Sequence, residues 1–409
     1  MASRLLSSRA DPPDDALLSK MILTNCAACA ATLPHKTKQC SRCKTRYCGP
    51  ACQKQHWDAA GGHKDLCKLI KKSGGAEQFN ADKKCAEAIA VAVEKCADDT
   101  KGQTCYICTQ ALHWKTKEGL VRGCSCRGTA GFVHVSCLAE QAKILVAEAE
   151  ENNLDRQAIA SRLDRWRLCG LCKQEFHGVV FCALGWACWK TYCGRSENDW
   201  IRGASMTALG TGLYMTHSYA DALTAFEGDL AMMQRIRAPE FMMQSQKTNV
   251  ANCYDYLGRK DEALVIRREI YAWRRINLGF SNDLTQTAAL NVSHSLIESG
   301  RIPEAKSICY EVIGALPPNA LISFNMLRLR QKLAWAEFDD GNLREAQAMY
   351  EDLERSTLRV LGPAHPLTQG VQSYLKETRS RRAAATLPAF GQNSDSDAPG
   401  PGEDRPRRE

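Results

Sequence analysis

The sequence has little of what characterises membrane-embedded or secreted proteins. No stretch reaches the roughly 18 uncharged apolar residues that a membrane-spanning helix requires. The nearest candidate, residues 179–189, is followed directly by Lys190. The first residues contain Ser, Arg, Asp and Pro, and they lack the apolar core of a secretory signal peptide. We therefore expect neither a contact with a membrane nor secretion.

Short motifs of common enzymes are also missing. The sequence contains no nucleophile elbow, no phosphate-binding loop and no His-Glu-x-x-His metal motif. The formal net charge of +8 is spread over 409 residues, and basic residues do not gather with aromatic residues in one stripe. Nucleic acid is therefore not an expected partner, and a DNA-binding transcriptional regulator is the least favoured function.

Cysteine, in contrast, is abundant. The chain has 21 cysteines, most of them in its first half and in pairs with metal-ligand spacing. Without a secretory signal, such cysteines are expected to bind metal rather than to form a disulfide framework. The composition therefore predicts zinc-bound thiolates in a reducing compartment, the cytoplasm or the nucleus.

The most ordered series of metal-capable residues runs from position 105 to position 172. Its seven cysteines and one histidine form four pairs: Cys105 and Cys108, Cys124 and Cys126, His134 and Cys137, and Cys169 and Cys172. Zinc takes four sulfur or nitrogen ligands tetrahedrally, so eight ligands imply two ions. The spacer at residues 138–168 is rich in Ala, Glu and Leu, which predicts a helical insertion.

The segments CRGTAGFVHVSC (126–137) and CGLCKQEF (169–176) resemble the RING-CH finger, a RING variant with the ligand order C4HC3. The resemblance implies a cross-brace, with one zinc on Cys105, Cys108, His134 and Cys137 and the other on Cys124, Cys126, Cys169 and Cys172. It also implies a ubiquitin ligase that holds a charged ubiquitin-conjugating enzyme near a substrate lysine, without a covalent intermediate. Ile107 and Trp166 are then the expected contacts with the conjugating enzyme, and Lys173 is a candidate contact with ubiquitin.

A second series precedes the first and resembles the MYND finger. Its metal-capable residues are Cys26, Cys29, Cys40, Cys43, Cys48, Cys52, His63 and Cys67. The resemblance implies one zinc on Cys26, Cys29, Cys48 and Cys52 and another on Cys40, Cys43, His63 and Cys67. It also implies a groove for short proline-containing peptides, with Gln53 and Trp57 as contacts. His56, one helical turn after Cys52, is an alternative ligand to His63, although the four-residue spacing between His63 and Cys67 favours His63.

The chain repeats itself from residue 204 to about residue 361. Four alanines mark the repeat at intervals of 41, 42 and 41 residues: Ala222, Ala263, Ala305 and Ala346. Five positions before them stand His217, Gly258, Gly300 and Gly341. A glycine at this place predicts the C-cap of one helix, and the small alanine allows the next helix to pack closely. The pattern and the loop LGPAHPLT (361–368) resemble the tetratricopeptide repeats of kinesin light chains, which bind peptides on a concave face.

We therefore predict a multidomain protein in which two small cross-brace zinc fingers are followed by an all-α tetratricopeptide-like repeat domain. The predicted order is a flexible leader (1–23), a MYND-type finger (24–70), a helical linker (71–104), a RING-CH-type finger (105–176), a bridge helix (177–203), the repeats (204–382) and a disordered tail (383–409). Four zinc ions are expected. The favoured function is a ubiquitin ligase that recruits substrates through its MYND finger and repeats, and the alternative is a non-catalytic adaptor or scaffold.

Overall fold

The computed structural model describes residues 26–29, 31, 33 and 37–386 of the chain. The predicted leader (1–23) and residues 387–409 of the predicted tail lie outside these residues. The chain divides into two compact units, Met1–Ile270 and Tyr271–Glu409, and each has its own hydrophobic core. Within the described part of the chain, none of the helices is both long enough and apolar enough to cross a membrane.

The first finger contains very little regular structure. Strands β1 (Lys38–Gln39) and β2 (Arg46–Tyr47) pair antiparallel, and helices α1 (Pro50–Asp58) and α2 (His63–Lys72) follow. Cysteines make up half of its small core, and the fully buried ring of Tyr47 and the side chain of Ile70 lie among them. A core of this size cannot by itself offset the entropy lost on folding, so the finger depends on its metal ligands.

Two helices occupy the segment predicted as a linker, and the second finger follows them. The helices are α3 (Ala76–Lys95) and α4 (Ala97–Thr100). The finger itself is mostly loop, pinned by isolated bridges between Val121 and Val133 and between Leu168 and Glu175. The predicted insertion is helical, with α5 (Val135–Glu151), α6 (Arg156–Leu163) and a 3-10 turn (Asp164–Trp166).

Helix α7 (Gly178–Tyr192) connects the second finger to the first repeat helices. It is apolar on nearly all sides and packs against α3, α5 and α8 (Trp200–Met215), which explains why it is buried. One continuous core runs from α3 and the finger through α7 into α8, α9 (Tyr219–Arg235) and α10 (Glu240–Tyr256). The predicted boundary between residues 203 and 204 falls inside α8.

The remaining helices also form helical hairpins. They are α11 (Lys260–Leu278), α12 (Asp283–Glu298), α13 (Ile302–Gly314), α14 (Phe324–Asp339), α15 (Leu343–Leu361) and α16 (Pro366–Thr386). The four repeat alanines are completely buried. This burial supports the close packing that the sequence pattern predicts, and the all-α repeat architecture is confirmed.

The turns between paired helices share one backbone geometry. His217, Gly258, Gly300 and Gly341 have φ values of 63°, 75°, 70° and 83°, in the left-handed region. After each of them, the next backbone N–H donates to a carbonyl five residues earlier, as from Ser218 to Leu213 at 3.0 Å and from Arg259 to Tyr254 at 2.8 Å. This is the Schellman C-cap, in which glycine adopts the left-handed conformation without the cost that His217 bears.

Candidate zinc centres

The first finger brings its eight metal-capable residues into two groups. Cys26, Cys29, Cys48 and Cys52 form one group, and Cys40, Cys43, His63 and Cys67 form the other. Within each group all candidate ligand atoms lie within 4.8 Å of one another. Cys40 and Cys43 lie in the turn between β1 and β2, and Cys48 directly follows β2. Cys52 lies on α1, and α2 carries the last two ligands, so the fold interleaves pairs that are distant in sequence.

Distances in the two groups match those of a tetrahedral zinc site. Four sulfurs at a Zn–S length of about 2.3 Å would lie about 3.8 Å from one another. The Sγ atom of Cys29 lies 3.4 Å from that of Cys48 and 3.8 Å from that of Cys52. In the other group the Cys40 and Cys67 sulfurs are 3.9 Å apart, and Cys43 Sγ lies 3.4 Å from His63 Nε2. Both groups therefore fit zinc.

The structure separates the roles of the two histidines that the sequence left as alternatives. His63 is completely buried inside the second group. The Nδ1 atom of His56 lies instead 3.0 Å from the hydroxyl oxygen of Tyr47, and the ring packs beside that of His63. His56 thus occupies a position next to the ligand group rather than within it.

The second finger also forms two groups, and they have the predicted cross-brace order. Cys105, Cys108, His134 and Cys137 lie together, as do Cys124, Cys126, Cys169 and Cys172. The Nδ1 atom of His134 is 3.4 Å from Cys108 Sγ and 3.6 Å from Cys137 Sγ. Its Nε2 atom lies 3.3 Å from the carbonyl oxygen of Ala111. Such a carbonyl partner is typical of a metal-binding histidine, because it fixes the ring and its tautomer.

The electrostatics of the first finger favour a cation in each of its two groups. Burial opposes ionisation of Cys26, but hydrogen bonds from backbone N–H groups, first that of Cys29, lower its pKa to about 6. Burial and the neighbouring thiols of Cys40 and Cys43 raise the pKa of Cys67 to about 12. A thiolate is thus favoured at Cys26, whereas a second negative charge beside neighbouring thiols is disfavoured until a cation balances it. A zinc dication supplies this charge.

All four ligand sets are complete. Four protein ligands at each centre leave no coordination position for a water molecule or a substrate. The zinc ions would therefore stabilise the fold, and they would not activate water or a nucleophile. The predicted cofactor, four zinc ions, is confirmed by four clusters of the right composition and spacing.

The predicted partner contacts differ in exposure. Trp57 is 38% exposed and Gln53 is partly buried, both on α1. Ile107 is partly buried, and its backbone N–H donates to Cys105 Sγ at 3.4 Å. Trp166 is only 2% exposed, and its ring packs edge-on against Tyr192 at 5.8 Å. Trp166 is therefore a residue of the hydrophobic core and is not available to a partner.

The loop between the first two ligand pairs of the second finger carries exposed apolar residues that no motif in the sequence marks. Trp114 and Leu112 in this loop are 68% and 59% exposed. The loop is fixed by Glu118, whose carboxylate accepts hydrogen bonds at 2.7 Å from the backbone N–H and the hydroxyl of Ser136. The one sequence signal for this loop is the spacing His-x-x-Thr at positions 113–116, which has the same length as a Cys-x-x-Cys ligand pair.

Comparisons with protein-family models identify the three modules. Residues 26–67 match the MYND finger, residues 105–153 match the RING-variant domain, and residues 327–367 match a tetratricopeptide repeat. The chain therefore carries a MYND finger, a RING-variant domain and tetratricopeptide repeats, as predicted. A search of curated proteins found no significant match.

Among solved structures, a kinesin light chain of Podosopora anserina with nearly identical TPR-like repeats is 17% identical. The alignment covers 55% of this chain and 97% of that chain, with a TM-score of 0.39. BtubC (BKLC) from P. vanneervenii is 12% identical over 67% of this chain and 96% of that chain, with a TM-score of 0.36. These values are too low to support an inference about function.

Proposed function

We propose that the protein is a ubiquitin ligase of the RING-variant type, acting in the cytoplasm or the nucleus. It would recruit substrates or partners through its MYND finger and helical repeats. The RING-variant domain with two complete four-ligand centres is the observation that carries the proposal. Such a ligase forms no covalent intermediate, so zinc centres that only hold the fold are sufficient for it.

The proposed reaction depends on proximity and orientation. A ligase accelerates transfer by holding the charged conjugating enzyme close to a substrate lysine in a fixed arrangement. Helix α7 supports this role because it shares one core with the second finger and with α8 and α9. A partner bound to the first repeat helices would thus be held at a defined distance from the finger.

Ile107 is the proposed anchor for the conjugating enzyme. It lies in the turn between Cys105 and Cys108, so the metal centre fixes its backbone. Leu171 occupies the same position in the turn between Cys169 and Cys172 and is 49% exposed. Apolar residues on rigid turns are suited to anchor an interface, and removing such an anchor commonly costs about 2 kcal/mol or roughly thirtyfold in affinity.

An autoubiquitination assay with a panel of conjugating enzymes tests the proposal. We expect wild-type transfer, a loss of about thirtyfold in Ile107→Ala, and unchanged zinc content in that variant. Ile144→Ala is the matched control, because Ile144 is 46% exposed on α5 and lies outside both turns. Normal transfer in Ile107→Ala would place the docking surface elsewhere.

The second candidate is a non-catalytic adaptor that binds proteins through the MYND finger and repeats. It is favoured by the presence of two modules whose families bind peptides and by the absence of any catalytic motif in the sequence. Lack of wild-type transfer with every conjugating enzyme would support this candidate over the ligase.

A further inference from the structure

The segment 113–116 adopts the same turn as the zinc-binding loops, although it contains no cysteine. In the zinc-binding turn, the N–H of Cys105 donates to the carbonyl of Gln110 at 3.0 Å, and the N–H of Thr109 donates back to Cys105 at 2.8 Å. His113 makes the same two contacts, with Glu118 at 3.0 Å and with Lys117 at 2.9 Å. Lys117 also has a left-handed φ of 59°, close to the 62° of Thr109.

Hydrogen bonds close this turn in place of a metal. The Nδ1 atom of His113 accepts from the backbone N–H of Thr116 at 3.1 Å and lies 2.8 Å from the Thr116 hydroxyl. The turn is also packed closely on α3, because a Cβ atom added to Gly119 would lie 2.7 Å from a methyl group of Val93. The turn is therefore held in place from both ends, and little conformational freedom remains to be lost on binding.

The fixed turn presents Trp114 at the edge of a groove. The groove has a volume of about 1200 Å³ and is bounded by α3, α5 and α7. Its walls include Ile89 and Val93 on α3, Ala139 on α5 and Ala187 on α7. Small-molecule sites usually enclose about 300–1,000 Å³, so this open groove suits a longer, peptide-like ligand. A rigid, exposed tryptophan is a typical anchor of such an interface.

The charge beside Trp114 is positive. Lys115 and Lys117 are exposed, and neither forms an ion pair with a carboxylate among the described residues. The other lysines of the groove are compensated, since Lys143 pairs with Glu140 and Lys190 pairs with Asp82. Of the groove carboxylates, Glu140 pairs with Lys143, and Glu118 accepts hydrogen bonds from Ser136 and Thr116, so neither of these two neutralises Lys115 or Lys117.

We propose that this groove binds an amphipathic helix of a partner protein, with apolar residues against Trp114 and acidic residues beside Lys115 and Lys117. A helix in a groove buries one apolar stripe and leaves its flanks free for charged contacts. An acidic flank satisfies the two lysines, whereas a basic flank would be repelled by them. The proposal does not rest on ubiquitin transfer, and binding can be measured with no ubiquitin component present.

A selection experiment with the full-length, zinc-loaded protein tests the proposal. A phage-displayed library of helical peptides of about five turns is selected on the wild type and depleted on a variant carrying Trp114→Ala, Lys115→Glu and Lys117→Glu. We expect recovered peptides with apolar residues at i, i+3 or i+4, and i+7, flanked by Asp or Glu. Zinc content and circular dichroism establish that the variant is folded.

Fluorescence anisotropy with one recovered peptide then measures each contribution. Trp114→Ala should weaken binding about thirtyfold, and Phe241→Ala should leave it unchanged. Phe241 is a matched control because it is 60% exposed on α10. The double variant Lys115→Glu/Lys117→Glu should also bind weakly, and replacing the acidic residues of the peptide by lysine should restore binding.

Several results would overturn the proposal. The selection could yield no peptide that discriminates the wild type from the variant, or only peptides without acidic flanks. Trp114-dependent self-association in sedimentation velocity would assign the groove to a second copy of the chain. Competition by a peptide of residues 1–25 at equal affinity would assign the groove to the chain itself.

Discussion

Helices α7 and α8 approach each other at two glycines, and a methyl group at either position should force them apart. A Cβ atom at Gly185 would lie 2.9 Å from the carbonyl oxygen of Ala208 and 3.1 Å from the Cα atom of Leu209. A Cβ atom at Gly212 would lie 2.9 Å from the Cα atom of Cys182. The atoms that would clash belong to backbone, so no side-chain rotation relieves the contact.

The expected effect combines two opposing contributions. Replacing glycine by alanine within a helix favours folding by about 1 kcal/mol, whereas overpacking a tight core contact costs about 1–3 kcal/mol. Gly185→Ala and Gly212→Ala should therefore lower the free energy of unfolding by up to about 2 kcal/mol each. Gly370→Ala is the control, because the nearest atom to its added Cβ is the flexible Nε2 of Gln331 at 3.5 Å.

Urea denaturation followed by circular dichroism gives the stability of each variant, and hydrogen exchange of residues 178–215 locates the change. We expect faster exchange in α7 and α8 of the Gly185 and Gly212 variants, with four zinc ions retained. Gly370→Ala should be neutral or stabilising. If Gly185→Ala stabilised the protein as much as Gly370→Ala does, the proposed close packing of α7 on α8 would be refuted.

Three other predictions follow from the metal centres and the core. His63→Ala should lose one zinc of four in elemental analysis, whereas His56→Ala should retain all four, and the opposite result would exchange their roles. Chelation of zinc should increase hydrogen exchange in α7–α9 as well as in the fingers, because these helices share one core with the second finger. Helices α12–α16 should stay protected. Unchanged exchange rates in α7–α9 after chelation would contradict this prediction. Burial raises the pKa of Asp229 to about 7 from 3.8, so the folded state retains a proton that the unfolded state loses between about pH 4 and pH 7. The contribution of Asp229 to stability should therefore fall as the pH rises through this range. The unfolding free energy of Asp229→Asn should accordingly rise relative to that of the wild type between about pH 4 and pH 7. A difference between the two proteins that does not change with pH would exclude the shifted pKa.

The zinc fingers illustrate what local pattern can predict. Ligand pairs such as Cys105 and Cys108 must be close in sequence because one turn has to aim both sulfurs at one metal. The repeat alanines and the residues at the helix C-caps are also predictable from their positions in the repeat. His217 shows this, because it adopts the left-handed conformation of the three C-cap glycines although a histidine pays a steric cost there. The assignment of two distant ligand pairs to one zinc ion rests on the family resemblance, since spacing alone allows other combinations of pairs.

Other features depended on contacts between distant segments. Trp166 is an expected contact with the conjugating enzyme by resemblance, yet it is buried and packs against Tyr192 of α7. The predicted boundary between residues 203 and 204 falls inside α8, whose first turn shares a core with α7. Neither result can be read from a single segment, since burial is decided by what packs against it.

The sequence by itself determined the candidate zinc ligands, because they stand in closely spaced pairs. It also determined the helical repeat and its period, because the same small residues recur at regular intervals. Only the tertiary structure decided that His63 rather than His56 joins the ligand group, that α7 unites the second finger and the first repeat helices in one core, and that Trp114 borders a groove. These properties arise where side chains far apart in sequence exclude water together, and the energy of that burial depends on the whole packing arrangement.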